Sequence, residues 1–251
     1  MAVTIKSNRE IFLMKEAGKI LEDVHNQLED FIKPGISTLE IDQFGEKAIR
    51  DYGCIPSFLN YNGYPASICV SVNEEVVHGI PKKDRIIKSG DIVSLDAGVI
   101  YQGYHSDAAR TYGVGSITPE ASRLIQVTKE SFFEGIKAAK PGNHLFDISQ
   151  GIQTYIEENG FSVVRDLVGH GIGTHLHEDP QIPNFKMKRK GIKLCAGMTL
   201  AIEPMVNAGA YDVEWLDDDW TVVTADGSLS AHYENTILIT ETGYEILSLS
   251  I

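Results

Sequence analysis

GDIVSLD at residues 90–96 and GMTLAIE at residues 197–203 follow one pattern: an opening glycine, an apolar run and a closing carboxylate, Asp96 or Glu203. They are offset by 107 residues, and the same offset carries Lys33-Pro34-Gly35 onto Lys140-Pro141-Gly142 and Gly53 onto Gly160. No gap is needed between positions 33 and 96. A constant register through two helices and a strand indicates an internal duplication, although proline and glycine punctuate many helices. The expected organisation is one domain over 1–251, with related halves at about 7–114 and 118–240 meeting around a shared site.

Capping signals place the helices. Ser7 with Glu10 predicts a capping box ahead of Ile11, Met14, Ala17, Leu21, Val24, Leu28 and Phe31, which recur at helical spacing until Pro34-Gly35. Ser37 with Glu40 opens a second helix that ends at Gly53. Thr118-Pro119 starts a third through Leu124, Val127, Phe132 and Ile136, and a fourth runs through Ile148, Ile152 and Ile156 to Gly160.

Each strand-ending acid leads to a second one. From Asp96 the segment DAGVIYQGYHSD predicts a hairpin that returns to Asp107. From Glu203 a longer insertion leads to SAHYENTILIT, whose alternation puts His232 and Glu234 on one strand face. A buried carboxylate is costly unless paired or metal-bound, and four together repel one another. Hard oxygen ligands around divalent cations are one arrangement that relieves the repulsion, with His170 as a candidate fifth ligand. Spacing alone leaves their convergence open.

VGHGIGTHLHEDP at 168–180 holds His170, His175 and His177, three of the eight histidines. The helical zinc-protease motif places its histidines at i and i+4 on one face; a spacing of seven in a segment with three glycines argues against it. Read by itself the segment is either a site or a surface turn. Gly169, Gly171 and Gly173 would let backbone approach closely.

A hydrophobic content of 43% supports a globular core, and no apolar run or N-terminal signal pattern favours membrane insertion or secretion. The cytoplasm is the expected compartment. Cys54, Cys69 and Cys195 form no CxxC pair and are expected as reduced thiols. A net charge of −13 disfavours nucleic acid. The basic run KMKRKGIK at 186–193 is expected to be a solvated loop.

HGIP at 78–81, SLDAG at 94–98 with Asp107, GHGIG at 169–173 followed by His177 and Glu178, AIEP at 201–204 and YENT at 233–236 occur in order across nearly the whole chain. Together they resemble the methionine aminopeptidase family. Without an N-terminal zinc-binding extension or a long insertion between His170 and Glu234, the chain is similar to the short bacterial type I form. The resemblance implies an α/β (α+β) "pita-bread" fold of two pseudo-twofold-related halves, each with helices and antiparallel strands around a dinuclear metal site.

It further implies five metal ligands, Asp96, Asp107, His170, Glu203 and Glu234, holding two divalent ions drawn from cobalt, manganese, iron and zinc. A metal-bridging water or hydroxide would attack the carbonyl of an N-terminal methionine, with Glu203 also moving the proton. His177 would steady the oxyanion, and His78 would face the scissile nitrogen. Phe58, Tyr61, Tyr64, Cys69, Leu176 and Trp220 would line the methionine pocket. Asn62 and Leu176 depart from the family pattern, where histidine and an aromatic are frequent, and put the pocket rim in question. His175 and His105 have no implied role. The implied substrates are N-termini of nascent polypeptides with a small second residue, including chains at the ribosome, and Met1-Ala2 fits that rule. A monomer is expected. The competing readings are an Xaa-Pro aminopeptidase or prolidase of the same fold, and a non-catalytic pita-bread binding module.

Overall fold

Each of the four helices starts at a turn that the sequence marks. In the computed structural model, which describes residues 3–249, α1 spans Asn8–Phe31 and α2 spans Thr38–Asp51. Both carry a reciprocal capping box, Ser7 with Glu10 and Ser37 with Glu40. α3 (Pro119–Ile136) has Thr118 as its cap and proline in its first turn; α4 (Leu145–Glu158) follows His144. Met1-Ala2 lies outside the described residues.

Among the described residues the strands form four antiparallel sheets. The first joins β1 (Ile55–Pro56), β2 (Ile68–Val72), β4 (Ile92–Tyr101) and β5 (Tyr104–Gly113), while β3 (Glu75–Val77) belongs to another sheet. β6 (Ser162–Val163) pairs with β10 (Met205–Asn207), which in turn pairs with β13 (Ser230–His232). β7 (Val168–Gly171), β8 (Glu178–Pro183), β9 (Thr199–Ile202), β14 (Asn235–Ile239) and β15 (Tyr244–Ile246) form a five-stranded sheet. The hairpin of β11 (Val213–Trp215) and β12 (Val222–Thr224) adds to β3 and fills part of the insertion after Glu203.

The offset of 107 recurs in these pairings. Ile55 opposes Ile100 and Pro56 opposes Val99; in the other half Ser162 opposes Asn207 and Val163 opposes Val206. The isolated bridges Ser37–Ile86 and His144–Lys193 differ by the same shift. Gly35 and Gly142 sit at φ +97° and +93°, a region that penalises any Cβ, so both helix exits turn alike.

α1 and α2 pack on the first sheet through Leu21, Leu28, Ile41, Val70, Leu95 and Val99. α3 and α4 cover the strands of the second half through Leu124, Phe132, Ile148, Ile152, Leu200 and Ile237. A third apolar cluster, containing Met14, Phe58, Tyr64, Cys69, Ile172 and Leu176, joins residues from both halves. Phe58, Tyr64, Cys69 and Leu176 of this cluster line the cavity described below.

Three local details differ from the sequence expectation. β4 does not end at Asp96 but runs on to Tyr101, because β5 pairs with it along its whole length. The strand expected over 230–240 is divided at Tyr233-Glu234, so β13 and β14 enter different sheets. The basic run 186–193 is irregular and largely exposed, but Lys193 also bridges His144.

Candidate metal centre and its pocket

Asp96 and Asp107 lie on adjacent strands β4 and β5 that a two-residue loop at Gln102-Gly103 brings back together. His170 lies on β7, Glu203 directly follows β9, and Glu234 sits at the division between β13 and β14. All five line one cavity of about 270 Å³. Asp107, His170 and Glu234 each offer a ligand atom within 4.8 Å of the others. His170 Nε2 is 3.7 Å from Glu203 Oε1 and 3.9 Å from Asp107 Oδ2.

Glycine makes this approach possible on β7. A Cβ on Gly169 would lie 2.4 Å from the Ala201 carbonyl oxygen, and one on Gly171 would lie 2.2 Å from that of Asp179. His170 Nδ1 is 2.9 Å from the Gly171 carbonyl, to which it can only donate; the Nε2 lone pair is therefore left for the cluster. The Glu234 end is held from behind. Arg110 donates to the carbonyls of Ala109 and Glu234 and, at 2.6 Å, to the Asn235 side-chain oxygen, while its guanidinium stacks on Tyr233.

The electrostatics call for a cation. Burial pushes the Asp96 carboxyl up to about 7. Asp107 is pushed well above its ordinary range by burial and then by repulsion from Asp96 and Glu203; Glu234 is raised by burial and by the other three acids. Glu203 rises for the same two reasons, burial first and Asp96 second. Asp96 Oδ1, Asp107 Oδ1 and Glu234 Oε1 are buried and have no hydrogen-bond partner among the described residues. Unpartnered acceptor oxygens beside a neutral imidazole are what hard divalent cations take as ligands, so the residues fit such a group.

The rest of the cavity is apolar with a few polar groups. Phe58, Tyr64, Cys69 and Leu176 are buried in its wall, and Tyr61 and Trp220 stand half-buried beside them. Tyr64 donates its hydroxyl to the Gly79 carbonyl at 2.9 Å and meets Trp220 edge-on, so both rings are fixed. His177 lies 4.2 Å from His170 between ring centroids, and its Nδ1 is 2.7 Å from the Tyr61 oxygen. His78 faces Trp220 at 6.3 Å and has φ +58°, an uncommon conformation for a residue with a Cβ. Burial holds its imidazole down at about 4, with His177 adding to the effect. All the site residues expected from the sequence thus line this cavity, as does Asn62. His175 is exposed and outside it, while His105 is buried against Ser57 Oγ at 3.0 Å.

Val77, Asp166, Leu167, Val168 and Met205 also line the cavity, beyond the residues expected from the sequence. Met205 could have been found, because it stands two residues beyond Glu203 in extended chain and so shares its face. The other four carry no distinguishing local pattern.

A fold of two related antiparallel halves with five ligand-type side chains lining one cavity between them, three of them buried, defines a metal-dependent hydrolase. Residues 13–241 match the metallopeptidase family M24, and the chain belongs to that family. It is 57% identical over 247 residues to a methionine aminopeptidase of Clostridium perfringens, covering 98% of this chain and 99% of the relative. It superposes on the methionine aminopeptidase of Thermotoga maritima with a TM-score of 0.97 at 47% identity, covering 99% of this chain and 100% of that one. An Xaa-Pro dipeptidase of Bacillus anthracis is more distant, with a TM-score of 0.79 at 26% identity, and the match spans only 62% of it. Among the described residues no helix is long and apolar enough to cross a membrane.

Proposed function

We propose that this chain, as one catalytic domain over 1–251, removes the N-terminal methionine from polypeptides whose second residue is small. The observation that carries the reading is the single cavity with an acidic, ligand-rich end and an aromatic, sulfur-containing end. A flexible thioether is recognised by shape and by contacts with rings and sulfur, which Phe58, Tyr61, Tyr64, Cys69, Leu176 and Trp220 offer. The full-length identity to methionine aminopeptidases supports the same substrate.

Asp96, Asp107, His170, Glu203 and Glu234 would hold two divalent ions, of the set cobalt, manganese, iron and zinc. When bound, such ions supply an activated water and a Lewis acid for the methionine carbonyl. Glu203 accepts the proton of the attacking water and passes it to the departing amine. The Tyr61 hydroxyl lies 2.7 Å from His177 Nδ1; by donating there it would leave the His177 Nε2–H free to donate to the oxygen that becomes negative in the transition state. His78, kept neutral by burial, faces the nitrogen of the scissile bond. The aromatic wall excludes water from the methionine side chain.

The substrates are the N-termini of nascent chains, met in the cytoplasm and at the ribosome by a monomeric enzyme. The test is a series of Met-Xaa-Ser peptides given to protein reconstituted with Mn²⁺ or Co²⁺. Methionine release that is fast for alanine, glycine and serine at Xaa and slow for leucine supports the proposal; no release from any of them overturns it.

A further inference from the structure

The two strands that return toward the metal centre do not carry their acids at matching positions. Asp107 stands opposite Gly98, and His232 stands opposite Met205, the residue 107 positions after Gly98. His232 therefore occupies the place in the second half that Asp107 occupies in the first. A reciprocal pair of threonines repeats the relationship. Thr236 Oγ1 donates to the Asp107 carbonyl and accepts from its N–H, both at 3.0 Å. Thr111 Oγ1 does the same to His232, at 2.8 and 2.9 Å. Thr111 stands four residues after Asp107, and Thr236 four residues after His232. Glu234 maps instead onto Ala109, and the Glu234 N–H donates to the Ala109 carbonyl at 3.0 Å where the two halves meet.

We infer that His232 is a positioning residue for Glu203, holding one oxygen of its carboxylate through an Nε2–H donor. The inference rests on the reading of Glu203 as ligand and proton carrier. His232 Nε2 lies 3.9 Å from Glu203 Oε2, while His170 Nε2 lies 3.7 Å from Oε1, so two imidazoles bracket the carboxylate, one at each oxygen. Only one of the two belongs to the ligand set. The His232 ring is 2% exposed, and its Nε2 has no hydrogen-bond partner among the described residues. Thr111 fixes the His232 backbone on both sides, whereas the Glu203 side chain is 14% exposed at the cavity and is the partner with room to move. A shift of about 1 Å by the carboxylate makes the bond. With Oε2 held, the plane of the Glu203 carboxylate is set. The methionine pocket is untouched by this contact.

The test uses His232→Phe, His232→Gln and His232→Asn in the full chain. Mn²⁺ affinity of the metal-free protein is measured by calorimetry, alongside kcat and KM for Met-Ala-Ser. Losing a hydrogen bond behind a ligand costs about 10–100-fold in metal affinity or activity. His232→Phe is expected to weaken Mn²⁺ binding and lower kcat by about that range, with KM changed less than about twofold. Glutamine reaches the Nε2 position with an amide N–H and restores both values; asparagine, one methylene shorter, does not. Phe and wild type agreeing in affinity and kcat would overturn the inference, as would equal losses in Gln and Asn. Should His232→Phe fail to fold by circular dichroism, the Gln–Asn comparison decides in the same way. The underlying reading fails separately, if Glu203→Gln keeps both metal affinity and turnover.

Discussion

The Tyr61 phenol oxygen lies 2.7 Å from His177 Nδ1, tying a short turn in the first half to the histidine loop of the second. With the hydroxyl donating to Nδ1, the ring proton sits on Nε2, which is the donor that the proposed oxyanion role needs. Tyr61→Phe should therefore lower kcat by about tenfold, less than loss of the imidazole itself. His177→Ala removes the oxyanion donor and should cost on the order of 100–1000-fold in kcat. Steady-state kinetics with Met-Ala-Ser checks both; a Tyr61→Phe enzyme slower than His177→Ala contradicts the assignment.

Glu203→Gln keeps the shape of the side chain and removes its proton chemistry. The expected loss in kcat is about 100–10,000-fold. Circular dichroism should be unchanged, since Glu203 follows β9 and leaves the sheet's apolar contacts intact. Full activity in this variant would refute the proton-carrying role.

Removing metal makes stability depend on pH with a predictable sign. Asp96 is pushed up to about 7 by burial, and Asp107, Glu203 and Glu234 are raised well above their ordinary values of 3.8 to 4.5. The folded metal-free chain binds protons that the unfolded chain releases, so these groups stabilise less as pH rises through their folded values. Below pH 6.5 the slope is opposed by His25, His170 and His232, held down at about 3 by burial, and by His78 and His105 at about 4. At pH 6.5 an unfolded histidine is still half protonated; about one unit higher those histidines are neutral in both states and no longer oppose the carboxylates. The Tm of metal-free protein should fall between about pH 7.5 and 8.5, and saturating Mn²⁺ should remove most of that fall. A metal-free Tm that rises over the window contradicts the burial and repulsion assigned to the four acids.

Gly169 is expected to tolerate no side chain. Its missing Cβ would stand 2.4 Å from the Ala201 carbonyl, in a strand pair that brings His170 against Glu203. Gly169→Ala should cost about 1–3 kcal/mol of stability by overpacking, read from chemical denaturation. It should also weaken metal binding, because β7 and β9 can separate only by moving His170. A variant as stable and as metal-avid as the parent would show that the close approach is not required.

Helices were legible because their signals are local: Ser7 with Glu10 and Ser37 with Glu40 cap the helices that follow them. The strands carrying Asp96 and leading to Glu203 were legible because burial and charge meet abruptly within seven residues, but the end expected at Asp96 was not found, since pairing with β5 carries β4 on to Tyr101. The pairing of the returning strands was not. Cross-strand register depends on the length of the connection, and a two-residue loop at Gln102-Gly103 is replaced in the second half by the insertion that carries β11 and β12. This is why Asp107 and Glu234, both acids that return to the centre, are not structural counterparts, and why His232 is. The positive φ of His78 and the part of Arg110 in holding Glu234 also arise from long-range packing that no short segment encodes.

The most direct test of the account is a competition in which Mn²⁺-reconstituted protein receives Met-Ala-Ser and Ala-Pro-Ser together, with free amino acids followed by mass spectrometry. The account predicts that methionine appears first and in great excess, and that a chelator stops its release. Release of alanine from Ala-Pro-Ser with Met-Ala-Ser left intact would contradict it.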